Sequence, residues 1–189
     1  MKTILASASP RRRELIKLID NNTLFISADV DETIPNGVEN ENAPEFLACK
    51  KALSIAKSYQ NDLVIGCDTT VFIESLPLGK PKDRQEAFYM LNLLSGRKHK
   101  VITGCCLCLK GKTLSFSVES NVYFFALSEK EINDYLDTNE YCDKAGAYGI
   151  QGKGSLLVEK IEGDYFNIVG LPVSMLNKRI KEFLNENNC

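Results

Sequence analysis

The sequence lacks several features that would point to particular classes of protein. No apolar run approaches the roughly 20 residues that cross a bilayer, so no membrane association is expected. The formal net charge of −2 gives no excess of positive charge for binding a nucleic-acid polymer. Histidine occurs once, at His99, and only Cys105 and Cys108 have C-x-x-C spacing, so the four ligands of a zinc site are missing. Core packing is the favoured role for these cysteines.

The chain also lacks a secretory signal, a repeat and a low-complexity tract. Arg11-Arg12-Arg13 follow a brief apolar N-terminus, which is the wrong charge order for a signal peptide. Seven cysteines without framework spacing indicate a reduced, cytoplasmic compartment. The length of 189 residues predicts a single domain over residues 1–189, with two lobes as a variant of it.

Strand and helix patterns alternate along the chain and predict an α/β fold with a mixed sheet. Ser9-Pro10 mark the start of one helix, and Ser128 with Glu131 three residues later marks another. The other predicted helices cover Ala43–Tyr59, Arg84–Leu94 and Pro172–Asn185, and the predicted strands cover Thr3–Ala8, Leu24–Ser27, Asp62–Asp68 with an extended continuation over Thr70–Glu74, Lys100–Leu109, Thr113–Glu119, Asn121–Phe125 and Leu156–Ile161.

Three arginines form the first candidate for a functional site. Arg11, Arg12 and Arg13 fall in the first turn of the predicted Pro10–Ile19 helix, where the helix dipole disfavours cations. Free backbone N–H groups and nearby serine hydroxyls would join them in binding a phosphate. A solvated basic patch explains the charges equally well.

Charged residues elsewhere suit the same chemistry. Asp68 ends a buried strand, where α/β folds place ligands, and could hold a divalent cation or orient a water. Asp31-Glu32 could supply the one or two carboxylates that magnesium takes at phosphoryl sites. Lys51 and Lys80 could contact phosphates. Taken singly, each is better explained as a turn residue or a surface charge.

A glycine-rich segment, Asp143–Gly152, carries three glycines that permit close backbone approach. Gln151 within it could read a base edge through its amide. A long surface loop is the alternative, although that does not explain the apolar residues between the glycines.

Taken together, these segments resemble the Maf family over nearly the whole chain. The matching segments are Ile4–Leu15, Asp31-Glu32, Lys51-Ala52, Gly66–Thr69, Gly79-Lys80-Pro81, Leu94–Arg97, Asp143–Gly152 and Asn167–Pro172. The resemblance implies an elongated mixed β-sheet flanked by helices, with two lobes and a central cleft, as in inosine triphosphatase-like proteins. It also implies hydrolysis of nucleoside triphosphates between the α- and β-phosphates with a divalent cation, Mg²⁺ or Mn²⁺.

The resemblance further implies roles for individual residues. Our own hypothesis is that Asp68 acts as general base, as metal ligand, or as both, and that Glu32 is the metal-linked carboxylate in preference to Asp31. The residues implied to bind the triphosphate are Ser7, Arg11, Arg12, Lys51 and Lys80. Arg12, Thr69 and Gln151 match the set that accompanies preference for dTTP and UTP. Removal of unwanted nucleotides and control of septum formation are the implied cellular roles, and a homodimer is usual in the family.

Three departures from the family pattern stand out. Cys67 replaces a common alanine, Phe125-Ala126 replace Arg-Pro, and Asp164-Tyr165-Phe166 varies from Ser-Tyr-Ser. None removes a charged residue assigned above, but the loss at Phe125 affects any role of that arginine in folding or dimerisation. The rival functions are a nucleotide-binding regulator of division without turnover, a pyrophosphatase for modified purine nucleotides such as 7-methyl-GTP, and a purely structural relative.

Overall fold

The computed structural model describes residues 1–187. The strands are β1 (Thr3–Ala6), β2 (Leu24–Phe25), β3 (Leu63–Ile73), β4 (Leu76–Leu78), β5 (Lys98–Leu109), β6 (Lys112–Phe124) and β7 (Val158–Glu162). The helices are α1 (Pro10–Leu15), α2 (Ala43–Ala56), α3 (Arg84–Leu94), α4 (Glu129–Leu136), α5 (Tyr165–Val169) and α6 (Val173–Glu186). None of the helices in this range is long and apolar enough to cross a membrane.

The strands form one mixed sheet in the order β2-β1-β3-β5-β6-β7, with β4 beside β3. β1 runs parallel to both of its neighbours, pairing Ile4 with Leu24 and with Val64. Ile4, Val64 and Ile65 are fully buried, as the continuous apolar runs of parallel strands predict. By contrast, β4 pairs with β3, and β7 with β6, in antiparallel register. The predicted α/β class with a mixed sheet is confirmed.

The chain divides into two compact units. The first unit comprises residues 1–68, 103–118 and the chain from Gly170 onward, and the second comprises residues 69–102 and 119–169. In the first unit, α2 packs against β1 and β3 through Ala48 and Ala52. Two glycines allow this close packing, because a Cβ on Gly66 would lie 2.1 Å from the Ala48 carbonyl oxygen and a Cβ on Gly104 would lie 2.3 Å from the Glu45 nitrogen.

The second unit has a core of α3, α4 and the apolar faces of its strands. His99, the only histidine, is 1% exposed there and lies 2.8 Å from the Tyr148 hydroxyl through Nε2. Both rings also contact Phe124 edge to face. Burial lowers the pKa of His99 to about 4, so the ring is neutral at pH 7.

Several predicted elements differ from the structure. Thr113–Glu119 and Asn121–Phe125 were predicted as separate strands, but β6 is continuous because buried Ser120 satisfies its hydroxyl with the backbone of Asp164 and need not break the strand. The short elements β4 and α5 were not predicted. The glycine-rich segment is only partly a surface loop, since Gly146, Ala147 and Tyr148 are buried.

Candidate active site

A lysine joined to two carboxylates forms the centre of the candidate site in the first unit. Lys51 Nζ lies 2.6 Å from Asp68 Oδ1 and 2.7 Å from Glu32 Oε1. The side chains of Lys51 and Asp68 are 13% and 14% exposed, while that of Glu32 is 58% exposed. The charges of Lys51 and Asp68 are therefore largely shielded from solvent, whereas the Glu32 carboxylate is exposed.

The packing of α2 on β3 brings this group together. Asp68 lies in β3 two residues after Gly66, and Lys51 lies in α2 between the alanines that contact Gly66. Because Gly66 has no side chain, the helix approaches the strand closely enough for the Lys51 ammonium to reach the Asp68 carboxylate.

Asp31 has a different set of partners from Glu32. Its Oδ1 accepts hydrogen bonds from the Thr33 hydroxyl at 2.6 Å and the Thr33 backbone at 2.9 Å, and these bonds lower the pKa of Asp31. Its Oδ2 lies 3.7 Å from Lys50 Nζ. Of the two adjacent acids, Glu32 is the one that shares Lys51 with Asp68.

Arg12 connects α1 to the backbone next to Asp68. Its Nη1 donates to the Cys67 carbonyl at 2.9 Å and its Nε donates to the Gly170 carbonyl at 2.8 Å. The guanidinium thus holds the backbone of β3 one residue before Asp68, a positioning role that the sequence did not indicate beside the phosphate contact and the base-preference role expected of Arg12. Asp68 was expected at the end of a strand, but it lies inside β3, because the chain continues as a strand to Ile73.

Hydrogen bonds also fix other residues of the segment around the start of α1. Ser9 caps α1 and accepts from the Arg12 backbone, and Ser7 Oγ accepts from the Ser9 backbone. Arg13 donates to the Ser7 carbonyl and lies over the Phe25 ring. Arg11 is partly buried. The unfavourable interaction between the arginines and the dipole of α1 is smaller than expected. The helix has only six residues, so Arg12 and Arg13 also fall in its last turn, where the dipole favours cations.

Thr69, Lys80 and Gln151 belong to the second unit. Thr69 is half-buried in β3, and Lys80 and Gln151 are exposed. The Gly146 backbone donates to the Gly79 carbonyl at 3.0 Å, which joins the turn that carries Lys80 to the glycine-rich segment that carries Gln151. The sequence placed these two segments apart, and only the fold shows that they touch.

The buried cysteines pack in the core, as the sequence favoured. Cys67 and Cys105 are fully buried, with their sulfurs 3.7 Å apart, and Cys106 and Cys108 lie beside them in β5. Among residues 1–187, no group of three or more His, Cys, Asp or Glu side chains is arranged to hold a metal ion. Cys67, one of the departures from the family pattern, packs in the core with its sulfur beside that of Cys105.

The carboxylate pair nevertheless fits a hard divalent cation. Oxygens of Asp68 and Glu32 both approach the Lys51 ammonium, so these two carboxylates are close enough together that they would be the protein ligands of such a cation. Magnesium is usually held by one or two protein carboxylates together with substrate phosphates and waters, so a larger set of protein ligands is not required. Oxygen donors of this kind also suit Mn²⁺.

Two residues important to the site escaped the sequence reasoning. Gly104 sits inside the apolar β5 pattern and admits the start of α2, and a glycine within a strand is a signal of close backbone approach. Gly170 supplies the carbonyl that receives Arg12, and nothing in its local sequence indicates that contact.

Comparison with known proteins identifies close relatives. A family model described as Maf-like protein matches residues 2–183. A protein of Clostridioides difficile named dTTP/UTP pyrophosphatase is 49% identical over 99% of this chain and 97% of its own length. A protein of Bacillus cytotoxicus with the same name is 45% identical over 96% of this chain and 95% of its own length.

Solved structures with a similar fold are more distant in sequence. The Ham1 protein of Staphylococcus aureus has a TM-score of 0.57 and 14% identity, covering 96% of this chain and 99% of its own. A HAM1 protein of Coxiella burnetii has a TM-score of 0.55 and 16% identity over the same shares. At such identities the likeness concerns the fold alone.

Proposed function

Because the chain belongs to the Maf family, we propose that it hydrolyses dTTP and UTP to the monophosphate and pyrophosphate. The names of its relatives and their coverage of nearly the whole chain support this activity. The observation that carries the proposal is the Lys51 ammonium held between Asp68 and Glu32, since it unites a carboxylate able to accept a proton with a cation able to face phosphate.

Asp68 is the catalytic base of the proposed reaction. It accepts a proton from the attacking water as the water oxygen bonds to the α-phosphorus. The bond from the α-phosphorus to the oxygen that bridges the α- and β-phosphates breaks, and that oxygen leaves with pyrophosphate. Lys51 fixes one carboxylate oxygen, so the orientation of Asp68 is set before substrate arrives. Arg12 contributes by holding the Cys67 carbonyl, one residue before the base.

Cationic side chains stabilise the polyphosphate in this proposal. Ser7, Arg11, Arg12 and Lys51 act from the first unit, and electrostatic stabilisation of this type usually supplies the largest part of phosphoryl-transfer catalysis. Asp68 and Glu32 would hold a divalent Mg²⁺ or Mn²⁺ ion, which neutralises phosphate charge when bound. For Lys80 as a phosphate ligand, and for Thr69 and Gln151 as base-reading residues, the support is the family resemblance.

Pyrophosphate release from a panel of nucleotides tests the function. We expect release from dTTP and UTP in Mg²⁺ or Mn²⁺, loss of release after chelation, and slower release from 7-methyl-GTP. Binding without release would instead favour a nucleotide-binding regulator, and preference for 7-methyl-GTP would place the chain in another branch of activity. In the same panel Gln151→Glu is expected to change the order of preference among bases, and an unchanged order would remove Gln151 from base recognition.

A further inference from the structure

The first unit contains a cavity lined by one face of α2. Its volume is about 950 Å³, which is at the upper end of the range for small-molecule pockets. Leu53, Ser54 and Lys57 lie three, four and seven residues after Lys50, so the four residues share the helix face that lines the cavity. Lys51, the next residue along the helix from Lys50, belongs instead to the ion-paired cluster of Lys51, Asp68 and Glu32, which we call the Asp68 group.

Lysines predominate among the charged residues that line the cavity, although the net charge of the protein is −2. Its lining holds four lysines, Lys50, Lys57, Lys110 and Lys112, and one acid, Asp31. Asp31 is 3.7 Å from Lys50 and can offset only part of that charge. This concentration of positive charge favours an anionic ligand with more than one negative charge.

The far wall of the cavity is fixed by a tight turn. Lys110 and Gly111 connect β5 to β6 with φ angles of +50° and +76°, the backbone form of a two-residue hairpin turn. The Lys110 backbone N–H donates to the Gln60 carbonyl at 3.0 Å, which fastens the turn to the segment after α2. Lys110 and Lys112 are therefore presented from a braced turn.

The remaining lining suits the other parts of a nucleotide. Tyr59 is 37% exposed and Leu53 is 46% exposed, so each offers apolar surface to a base. Gln60 and Asn61 add side-chain amides that can donate to and accept from base edges.

We propose that this cavity is a second nucleotide-binding site, distinct from the Asp68 group, whose ligand class is the nucleoside di- and triphosphates. The four lysines contact the phosphates, while Tyr59 and Leu53 contact the base. A small ligand fits better than a polymer, because the protein as a whole has a slight negative net charge.

The site is joined to the candidate active site by two adjacent pairs of residues. Asp31 pairs with Lys50 at the cavity, and Glu32 pairs with Lys51 at Asp68. A phosphate that competes for Lys50 weakens its contact with Asp31 and thereby loosens the loop that carries Glu32. Occupancy is expected to alter turnover, and this part of the inference rests on the proposed function.

Calorimetric titration with a UTP analogue that has an α,β-imido bridge tests the binding. The wild-type protein is expected to bind two equivalents. A variant with Lys57→Gln, Lys110→Gln and Lys112→Gln is expected to bind the second equivalent about tenfold more weakly or not at all. The matched control, Lys17→Gln with Lys178→Gln and Lys181→Gln, removes the same charge from exposed positions of the same unit and is expected to keep both equivalents.

One equivalent in the wild type, or unchanged binding in the cavity variant, would overturn the second site. Tighter binding of a short oligouridylate than of the analogue, lost in the cavity variant alone, would also overturn it in favour of a polymer. If the cavity variant loses the second equivalent but the wild-type protein releases no pyrophosphate, the second site is supported and the proposed function is rejected. The coupling is tested by the rate of pyrophosphate release as a function of UTP concentration. A hyperbolic dependence in a wild-type protein that binds two equivalents would overturn the coupling.

Discussion

The two units each contain a cluster of ionisable side chains, and the clusters differ in the way their charge is handled. In the first unit, Lys51, Asp68 and Glu32 bring opposite charges together beside solvent. In the second unit, His99 and Tyr148 are buried with Phe124 as neutral rings. Burial raises the pKa of Tyr148 and lowers that of His99, so both stay uncharged.

This difference separates a reactive group from a structural one. Charged groups that remain partly exposed can exchange their partners for a phosphate, whereas neutral rings in a core have no such alternative partner. A single histidine is often the first residue suspected of catalysis. Here its surroundings assign it to packing, and the lysine with two carboxylates is the cluster able to work on an anion.

Asp68→Asn is expected to have the largest effect on activity. Loss of a general base lowers turnover by about 10²–10⁴-fold. The variant should still fold, because the amide keeps the shape of the carboxylate and Lys51 retains Glu32 as a partner. Steady-state pyrophosphate release measures the rate, with Asp134→Asn as the control at an exposed acid of the second unit. Near-normal turnover of Asp68→Asn would reject the assignment of the base.

Gly66→Ala tests the packing that builds the first cluster. The new Cβ would lie 2.1 Å from the Ala48 oxygen, so α2 has to move away from β3. We expect a loss of roughly 3 kcal/mol in the free energy of unfolding, together with lower turnover as Lys51 shifts from Asp68. Chemical denaturation measures the stability.

Gly79→Ala is the matched control for that substitution, since its Cβ meets nothing within 4 Å and stability should not change. Equal stability of the Gly66 and Gly79 variants would show that the close contact of α2 with β3 has been overstated.

The cluster of His99, Tyr148 and Phe124 is expected to affect the pH dependence of stability rather than turnover. The pKa of His99 falls from 6.5 to about 4 on folding, so the unfolded chain binds the proton first as pH drops. The stabilisation from neutral His99 is complete above pH 6.5 and is lost as pH falls toward 4, by roughly 1.4 kcal/mol for each pH unit. His99→Gln should flatten this part of the stability profile, and an unchanged profile would contradict the burial argument.

Local signals predicted much of the fold. Helix α3 runs from Arg84 to Leu94, as expected, because Asp83 caps its start and Ser95-Gly96 end it. The capping box of Ser128 and Glu131 is confirmed at the start of α4. The Maf family and the mixed-sheet class are confirmed, and the names of the relatives agree with the predicted dTTP/UTP pyrophosphatase.

Contacts between distant segments could not be read in the same way. Glu32 meets Lys51 because of the path of the loop after β2, and that path depends on tertiary packing. Arg12 could be recognised as a cation, but its bonds to the Cys67 and Gly170 carbonyls depend on where β3 and the start of α6 come to lie. Ser120 looked like a break in a strand until its partner, Asp164, was known.

A double-mutant cycle on kcat/KM tests most directly whether Lys51 and Asp68 act as one unit. It requires Lys51→Gln, Asp68→Asn and the variant that carries both substitutions. Residues that work together lose their effects non-additively, so the double variant should be scarcely slower than the slower single variant. If the two losses multiply, Lys51 and Asp68 act independently, and the lysine held between two carboxylates is not the centre of the site.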